Sequence, residues 1–431
     1  MNNKKIEIRN LKGTCDFAPE KQMIRNQIID VLKTNFAKYG YLPLETPILN
    51  EFDLLKYKYE DGAEILSEIY KLTDQGKRDL GLRYDLTIPF CKFIALNKDL
   101  TMPFRRYEIG KVFRDGPVKA GRAREFSQCD VDVVGVDGRF VEVEQMQLVA
   151  NVFNQLDIDI EIKWNNRKLM VGLLEKFGLK DEKVDEAVSL LDRIEKISRK
   201  ELVEEFEKIG INEQKVDEIL TEFSKDLQEY VEKYKSTENI NLQQGVAECV
   251  ELQKIINKVG LENVCKFSPK LARGLSIYTG TVFEFFDREK RITSSLGGGG
   301  RYNKIITGFM DNGIEYPAVG LSFGMEPIYY ILSQNKTESM VDVLVVPMNT
   351  EIECMQLAES LRKVGARVVV ELSGRRVKKA FDYANKLGIK YVMVVGEDEL
   401  ASQLYSIKDM EKGEQENLKL EEILQKLAKK A

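Results

Sequence analysis

FRRYEIGKVFRDGPVKAGRAREFSQCDVDVVG, residues 104–135, has the pattern of two strands joined by a long basic loop. Val112 and Phe113 close the first strand. Residues 129–134 alternate in the second, and a period of two puts Asp130 and Asp132 on one face. Between the strands stand Arg114, Lys119, Arg122 and Arg124, with Gly116, Pro117 and Gly121 keeping the loop open. Guanidinium groups at strand ends grip phosphate or carboxylate in a planar, bidentate way. Phe126 beside them offers a face on which a base stacks. This set of side chains fits an anion carrying a ring, which is a nucleotide. A solvated basic hairpin is the plainer reading of a lone R-x-R. Two inward-facing aspartates weigh against it, because buried carboxylates require a cationic partner.

Outside this stretch, composition bounds the answer. The 431 residues suffice for about two or three domains. With 31% charged and 43% hydrophobic residues, the chain reads as an ordinary soluble globular protein. No apolar run approaches membrane-spanning length and MNNKKIEIRN has no apolar signal core, so the expected location is the cytoplasm. The cysteines (Cys15, Cys91, Cys129, Cys249, Cys265, Cys354) form no C-x-x-C pair and read as reduced thiols. A net charge of −5 argues against indiscriminate nucleic-acid binding, though not against a local basic surface. The chain contains no histidine, which removes His-based acid–base catalysis and most zinc sites together. Chemistry falls to Arg, Asp, Glu, Tyr, Gln, backbone amides, substrate groups and Mg²⁺.

In chain order, LKGTCDF leads into a helix over about 19–39, with Ile24, Ile28, Leu32 and Phe36 at helical spacing. YLPLETPIL reads as one strand whose Pro47 confines it to an edge or bulge. GLRYDLTIPFCKFIA (81–95) is a short strand entering a helix near Pro89, and by physics alone Asp85 is a helix cap. A helix over 141–156 and a strand over 158–164 follow the hairpin, then a charge-rich helical insertion over 165–235 and a helix over 240–259. LARGLSIYTGTVFEFF (271–286) returns to strand chemistry, and its Arg273 requires an anion, either a ligand or an internal carboxylate. SLGGGGRYNKII sets Gly297–Gly300 before Arg301 and Tyr302 without a P-loop or Rossmann fingerprint, and strand glycines admit close approach of a ligand or backbone. From residue 341 strands and helices alternate, which predicts a small, mostly parallel sheet ending in one strand and a helix. SGRRVKK puts Arg375, Arg376, Lys378 and Lys379 at a helix start, against the dipole, where RNA backbone or solvent neutralises them.

The hairpin resembles motif 2 of the class II aminoacyl-tRNA synthetases in its histidyl-tRNA synthetase form. The likeness runs along the whole chain, through KGTCDF, LRYDLT, motif 2, RGLSIYTGTVFE, GGRY and the C-terminal GEDEL and KDMEKGEQ runs. It implies an α+β catalytic domain with a mixed, mainly antiparallel sheet and flanking helices over 1–164 and 236–332. An inserted helical domain would occupy 165–235, a linker 333–340, and an α/β anticodon-binding domain 341–431. The helix–strand–Pro pattern near Pro47 resembles motif 1, which implies a homodimer.

By the same resemblance, Arg114 and Arg273 grip the α-phosphate during adenylate formation, with Arg273 also on the substrate carboxylate. Arg122 and Arg124 reach the phosphates and Phe126 the adenine of ATP. Asp85, Thr87 and Gln128 bind the α-ammonium of L-histidine, Asp132 and Tyr278 clasp its imidazole, and Tyr302 walls the pocket. Mg²⁺ accompanies ATP, no protein side chain is assigned to a metal, and tRNA(His) is the acceptor. Some positions depart from the family pattern: Pro327 replaces an arginine for the γ-phosphate, Ser276-Ile277 replaces Asp-Tyr, and Lys92 and Cys15 replace arginines. The alternative these departures raise is a non-catalytic paralogue like the ATP phosphoribosyltransferase regulatory subunit. A histidine-free chain is also one whose own synthesis needs no charged tRNA(His); the plainer origin is drift in an A/T-rich coding sequence.

Overall fold

The computed structural model describes residues 7–57, 64–118, 123–194, 197–272, 277–310, 312–334 and 339–428. The chain divides into two units, Met1–Asn335 and Lys336–Ala431. The first holds strands β1 (Leu42–Pro43), β2 (Leu49–Glu51), β3 (Lys71–Thr73), β4 (Asp79–Leu82), β5 (Phe104–Phe113), β6 (Glu125–Val134), β7 (Ile160–Asn166), β8 (Cys265–Phe267), β9 (Thr281–Asp287), β10 (Gly297–Arg301) and β11 (Ala318–Gly324). Eight of them form one sheet in the order β1-β5-β6-β11-β10-β9-β7-β8, and β2-β4-β3 form a small second sheet. The ladders from β5 across to β7 are antiparallel, flanked by parallel pairs at both ends, β1 with β5 and β7 with β8.

The β5–β6 hairpin is in register from Phe104 opposite Val134 to Phe113 opposite Glu125. Alternation gives β6 two faces of opposite character. Cys129, Val131 and Val133 pack against Ile24, Ile28, Leu32 and Phe36 of the helix Pro19–Lys38 and Val149, Val152 and Phe153 of the helix Phe140–Gln155. Each such aliphatic or aromatic side chain stabilises by roughly 1.5–3 kcal/mol when fully buried. This back face fixes the hairpin rigidly, and the polar face is thereby turned to the opposite side.

Some expectations need correcting. YLPLETPIL is two strands, β1 in the large sheet and β2 in the small one, with Pro47 between them. Proline has no N–H for a ladder, so the chain changes sheets there. The stretch 271–286 becomes strand only at Thr281, and residues 273–276 lie outside the described set.

The segment 167–258 is helical: Arg167–Lys176, Glu182–Asp192, Arg199–Lys208, Glu213–Glu222, Leu227–Lys233 and Ile240–Lys258. Asn166, Ser198, Asn212, Asp226 and Asn239 cap the first, third, fourth, fifth and last of these with side-chain oxygens. Glu222 ties this segment together, accepting from Lys225, Lys233 and the Tyr234 hydroxyl at 2.6 Å each.

In the second unit, β12 (Val343–Pro347), β13 (Val368–Val370), β14 (Tyr391–Val395), β15 (Tyr405–Asp409) and β16 (Gln415–Leu418) are ordered β13-β12-β14-β15-β16. The sheet is parallel only at β13-β12-β14; β15 and β16 are antiparallel additions, where one final strand was expected. Asp409 makes that hairpin by accepting from the Glu411 and Lys412 amides at 2.9 and 3.0 Å, with Gly413 at φ +74°. Helices cover both faces, with Val343 and Val345 in one apolar cluster and Leu344 and Val346 in the other. Among the described residues no helix is long and apolar enough to cross a membrane.

The helices Arg167–Lys176 and Ile240–Lys258 meet at backbone contact, because a Cβ on Gly245 would overlap the Leu169 amide and one on Gly172 would reach Leu242 at 2.5 Å. Gly245→Ala is therefore expected to cost about 1–3 kcal/mol despite its better helix propensity. Thermal melting checks this, with Gln244→Ala on the exposed side of the same helix expected to leave Tm nearly unchanged.

Candidate active site

The polar face of the sheet is floored by glycine. Gly320, Ser322 and Gly324 of β11 lie opposite Asp132, Asp130 and Gln128 of β6. Gly300 and Gly298 of β10 follow opposite Gly320 and Ser322. A Cβ on Gly320 would overlap the Asp132 carboxylate, and one on Gly300 would press to 2.8 Å on the Tyr278 ring. The glycines therefore let functional side chains and a ligand lie directly on the backbone.

Above this floor is a buried charge network. Arg106 of β5 is fully buried; its Nη2 is 2.7 Å from the Asp132 carboxylate and its Nη1 3.6 Å from Glu108. It also donates to the Leu86 carbonyl at 3.3 Å and lies 4.2 Å over the Phe90 ring. Glu108 accepts from Arg83 at 2.8 Å and from the amide and hydroxyl of Thr46 at 3.0 and 2.9 Å. The Tyr302 hydroxyl donates to Asp132 at 2.5 Å. Burial pushes the Asp132 carboxyl up, opposed by Arg106 and Tyr302, and burial followed by Asp132 holds the Tyr302 phenol well above its ordinary range. Asp130, facing Glu108 and Ser322 in register, is raised to about 7 by burial first.

The residues singled out in the sequence fall into distinct groups. Asp132, Tyr302, Gln128 and Tyr278 gather over the glycine floor, and Gln128 Nε2 donates to Ser322 at 3.3 Å. Asp85 caps the helix Thr87–Leu96 by accepting from the Ile88 amide at 3.1 Å, and lies close enough to raise Asp130 and Asp132. Thr87 is that helix's first residue and half-buried. Arg114 donates to the Tyr84 carbonyl at 3.1 Å with its guanidinium 5.1 Å from the Phe126 ring centroid. Arg124 turns instead to Asp115 at 3.1 Å and the Gly116 carbonyl at 3.3 Å. Lys119, Arg122 and Arg273 lie outside the described residues.

Arg301, next to Tyr302, is bound by Glu142 at 2.8 Å and by the carbonyls of Val136 and Gly138. Glu142 also holds Arg139, which reaches Glu248 on the helix Ile240–Lys258. The GGRY arginine therefore braces the pocket from behind. Arg83, Arg106 and Glu108 escaped the sequence reading. Their signal was present, since RRYE places Arg106 and Glu108 on the face that carries Asp130 and Asp132.

In the second unit Arg375 bonds to Glu371 at 2.5 Å and stacks 4.3 Å over Tyr383. Arg375 is exposed together with Arg376, Lys378 and Lys379 around the start of the helix Val377–Lys386.

Comparison with known proteins now adds lineage to geometry. A family model described as histidyl-tRNA synthetase matches residues 13–328, and one described as an anticodon binding domain matches residues 342–430. Histidine–tRNA ligase 1 of Bacillus cereus is 45% identical over 411 residues, covering 95% of this chain and 96% of that protein. Histidine–tRNA ligase 2 of Shouchella clausii is 42% identical over 420 residues, covering 96% of this chain and 99% of its own. The crystal structure of histidyl-tRNA synthetase from Nostoc superposes with a TM-score of 0.86 at 27% identity, over 98% of this chain and 99% of that one. A Bacillus halodurans protein titled ATP phosphoribosyltransferase regulatory subunit/histidyl-tRNA synthetase shares the fold, with a TM-score of 0.76 at 21% identity, over 90% of this chain and 98% of that one.

The network makes Arg106 the most sensitive position of the site. Arg106→Met leaves Asp132 and Glu108 without their shared cation and is expected to cost about 3–5 kcal/mol in urea unfolding. Folding raises Asp130 from its ordinary 3.8 to about 7, so its contribution to stability is full below the ordinary value and gone above about 7. Without Arg106 that fall steepens, and the deficit should be larger at pH 8 than at pH 6.

Proposed function

This chain belongs to the histidyl-tRNA synthetase family, and we infer that it activates L-histidine with ATP and transfers it to the 3′ end of tRNA(His). The observation that carries this reading is the Asp132–Tyr302 pair, buried on a glycine floor. The carboxylate of histidine is already ionised, so it attacks the α-phosphorus without a general base. The new bond joins a carboxylate oxygen to phosphorus, the bond to the bridging oxygen breaks, and pyrophosphate leaves. Arg114 and Arg273 stabilise the charge that builds on the α-phosphate, and positioning supplies the rest. Phe126 stacks on adenine, and Arg122 and Arg124 reach the phosphates once Arg124 leaves Asp115. Mg²⁺ entering with ATP would supply further neutralising charge.

A ribose hydroxyl at the tRNA 3′ end then attacks the adenylate carbonyl, releasing AMP. Specificity comes from Asp132 and Tyr278 on the imidazole, with Tyr302 fixing Asp132. A site built for polar partners rejects analogues lacking them by roughly 10⁴–10⁵. Asp85, Thr87 and Gln128 receive the α-ammonium. Residues 1–164 with 236–332 serve as the catalytic domain, 165–235 as an insertion, 333–340 as a linker and 341–431 as the anticodon domain. The enzyme works in the cytoplasm as a homodimer. Leu42, Ile48 and Leu49, exposed around the sheet-edge strand β1, support a second copy docking there. Pro327, in the first turn of the helix Met325–Leu332, has no donor for a γ-phosphate. That one feature favours the second reading, a histidine-binding paralogue.

Histidine-dependent ATP–pyrophosphate exchange tests the proposal. The wild-type protein should exchange only with histidine present, and Arg114→Ala should lose about 10²–10³ in kcat. Histidine binding without exchange would mark the paralogue. Reversing Arg376, Lys378 and Lys379 to Glu should lower tRNA(His) charging by tenfold or more while leaving exchange unchanged, since those side chains contact only RNA.

A further inference from the structure

Between the ring-facing Asp132 and the amide Gln128, on the same face of β6, stands a third inward side chain with no role so far. Asp130 is 4% exposed, and its Oδ1 has no hydrogen-bond partner. The neighbouring Gln128 Oε1 is likewise buried and unpartnered. Two acceptors side by side in a dry site represent a standing cost that only donors relieve. The groups facing Asp130 do not supply them in full: Arg106 and Glu108 come from β5, Asp132 from its own strand, Asp85 from the turn ahead of the helix Thr87–Leu96, and Ser322 from β11. Arg106 pairs with Asp132 and donates to Leu86, and its Nε and Nη1 are themselves without a hydrogen-bond partner, so it makes no hydrogen bond to the Asp130 Oδ1.

We propose that Asp130 is a further substrate-binding residue whose Oδ1 accepts from the α-ammonium of the bound amino acid. The assignment rests on the histidine reading above, and spacing carries it. Same-face residues on a strand recur about every 6.8 Å. With the imidazole at Asp132 and Tyr302, an ammonium only one short side chain away falls at Asp130, a single step along, while Gln128 is two steps along. An ammonium is a donor-only group with three N–H bonds, so it also reaches the Gln128 oxygen from there, which one ring N–H cannot do.

A consequence distinguishes this contact from a structural one. In the free protein burial, with Asp132 and Asp85 adding to it and Arg106 and Ser322 opposing, lifts the Asp130 carboxyl to about 7. An adjacent ammonium favours the carboxylate, so the carboxyl proton passes to solvent as histidine binds. Binding should therefore weaken about tenfold from pH 8 to pH 6, beyond the loss from titration of free histidine's own imidazole.

Calorimetric titration with histidine at pH 6, 7 and 8, in two buffers of different ionisation enthalpy, measures both affinity and proton release. The wild-type protein should release a fraction of a proton at pH 7 and show the extra tenfold. Asp130→Asn should show neither, and imidazolepropionate, which lacks the ammonium, should release none from the wild type. A folded Asp130→Asn variant with wild-type affinity and pH profile overturns the assignment while leaving the histidine reading intact. A wild-type protein that binds no histidine at any pH overturns both. Should the Asn variant fail to fold, Asp130→Glu retains the charge but moves it by one methylene. It should keep the pH dependence with at least tenfold weaker binding, and unchanged affinity overturns the proposal.

Discussion

The buried guanidinium of Arg106 is the constraint on which the site depends. It sits where β5 and β6 pair, with no exposed surface, and makes possible a row of carboxylates that would otherwise not remain ionised in a dry interior. Asp132 is oriented by it from one side and by Tyr302 from the other. Glu108 sits between Arg106 and Arg83, and Arg83 in turn binds the carbonyls of Thr46 and Lys111. The charge network therefore reaches from the hairpin to the segment where the chain passes from the large sheet to the small one. Arg106 on β5 and Arg83 just past the end of β4 spend their conformational freedom during folding, and the pocket is organised before any ligand arrives.

That organisation explains why so much lay open in the sequence, and where reading stopped. The hairpin was legible because period-two alternation is strict when one face is apolar and the other polar, and Cys129, Val131 and Val133 against Asp130 and Asp132 is such a case. The helical segment was legible from its spacing. What alternation cannot show is pairing across strands. Arg106 meets Asp132 because β5 and β6 are joined in one particular register, and no window on either strand contains both residues. Arg301 stands next to Tyr302 in the sequence, yet the pleat sends successive side chains to opposite faces and delivers it to Glu142. The C-terminal hairpin was missed for a local reason, since Asp409 closes the turn through its side chain and the residues between carry no strand signal.

The glycines make a related point about what sequence order conceals. Gly297–Gly300, read in the sequence as glycines that admit a close approach, form a strand in mid-sheet. Strand glycines are destabilising in themselves. Here they are tolerated because neighbouring ladders on both sides supply backbone hydrogen bonds, and the missing side chains leave room for Asp132 and Tyr278 to lie flat.

The absence of histidine ties these features to the chemistry. Adenylate formation from a carboxylate needs no proton removed before attack, so a fixed field of guanidinium groups and oriented backbone can stand in for a titrating side chain. A protein limited to such groups must hold them by packing and pairing, since none of its arginines adjusts its charge near neutral pH. Among the described pocket residues, Asp130 is raised to about 7 and, like Gln128, has an unfilled acceptor. In a site otherwise built from permanent charges, proton exchange is thereby confined to the position where the substrate brings its own cation. Near neutral pH the carboxyl is partly protonated while the site is empty and shifts toward the charged form once a partner is present, which lessens the cost of a third anion beside Asp132 and Glu108.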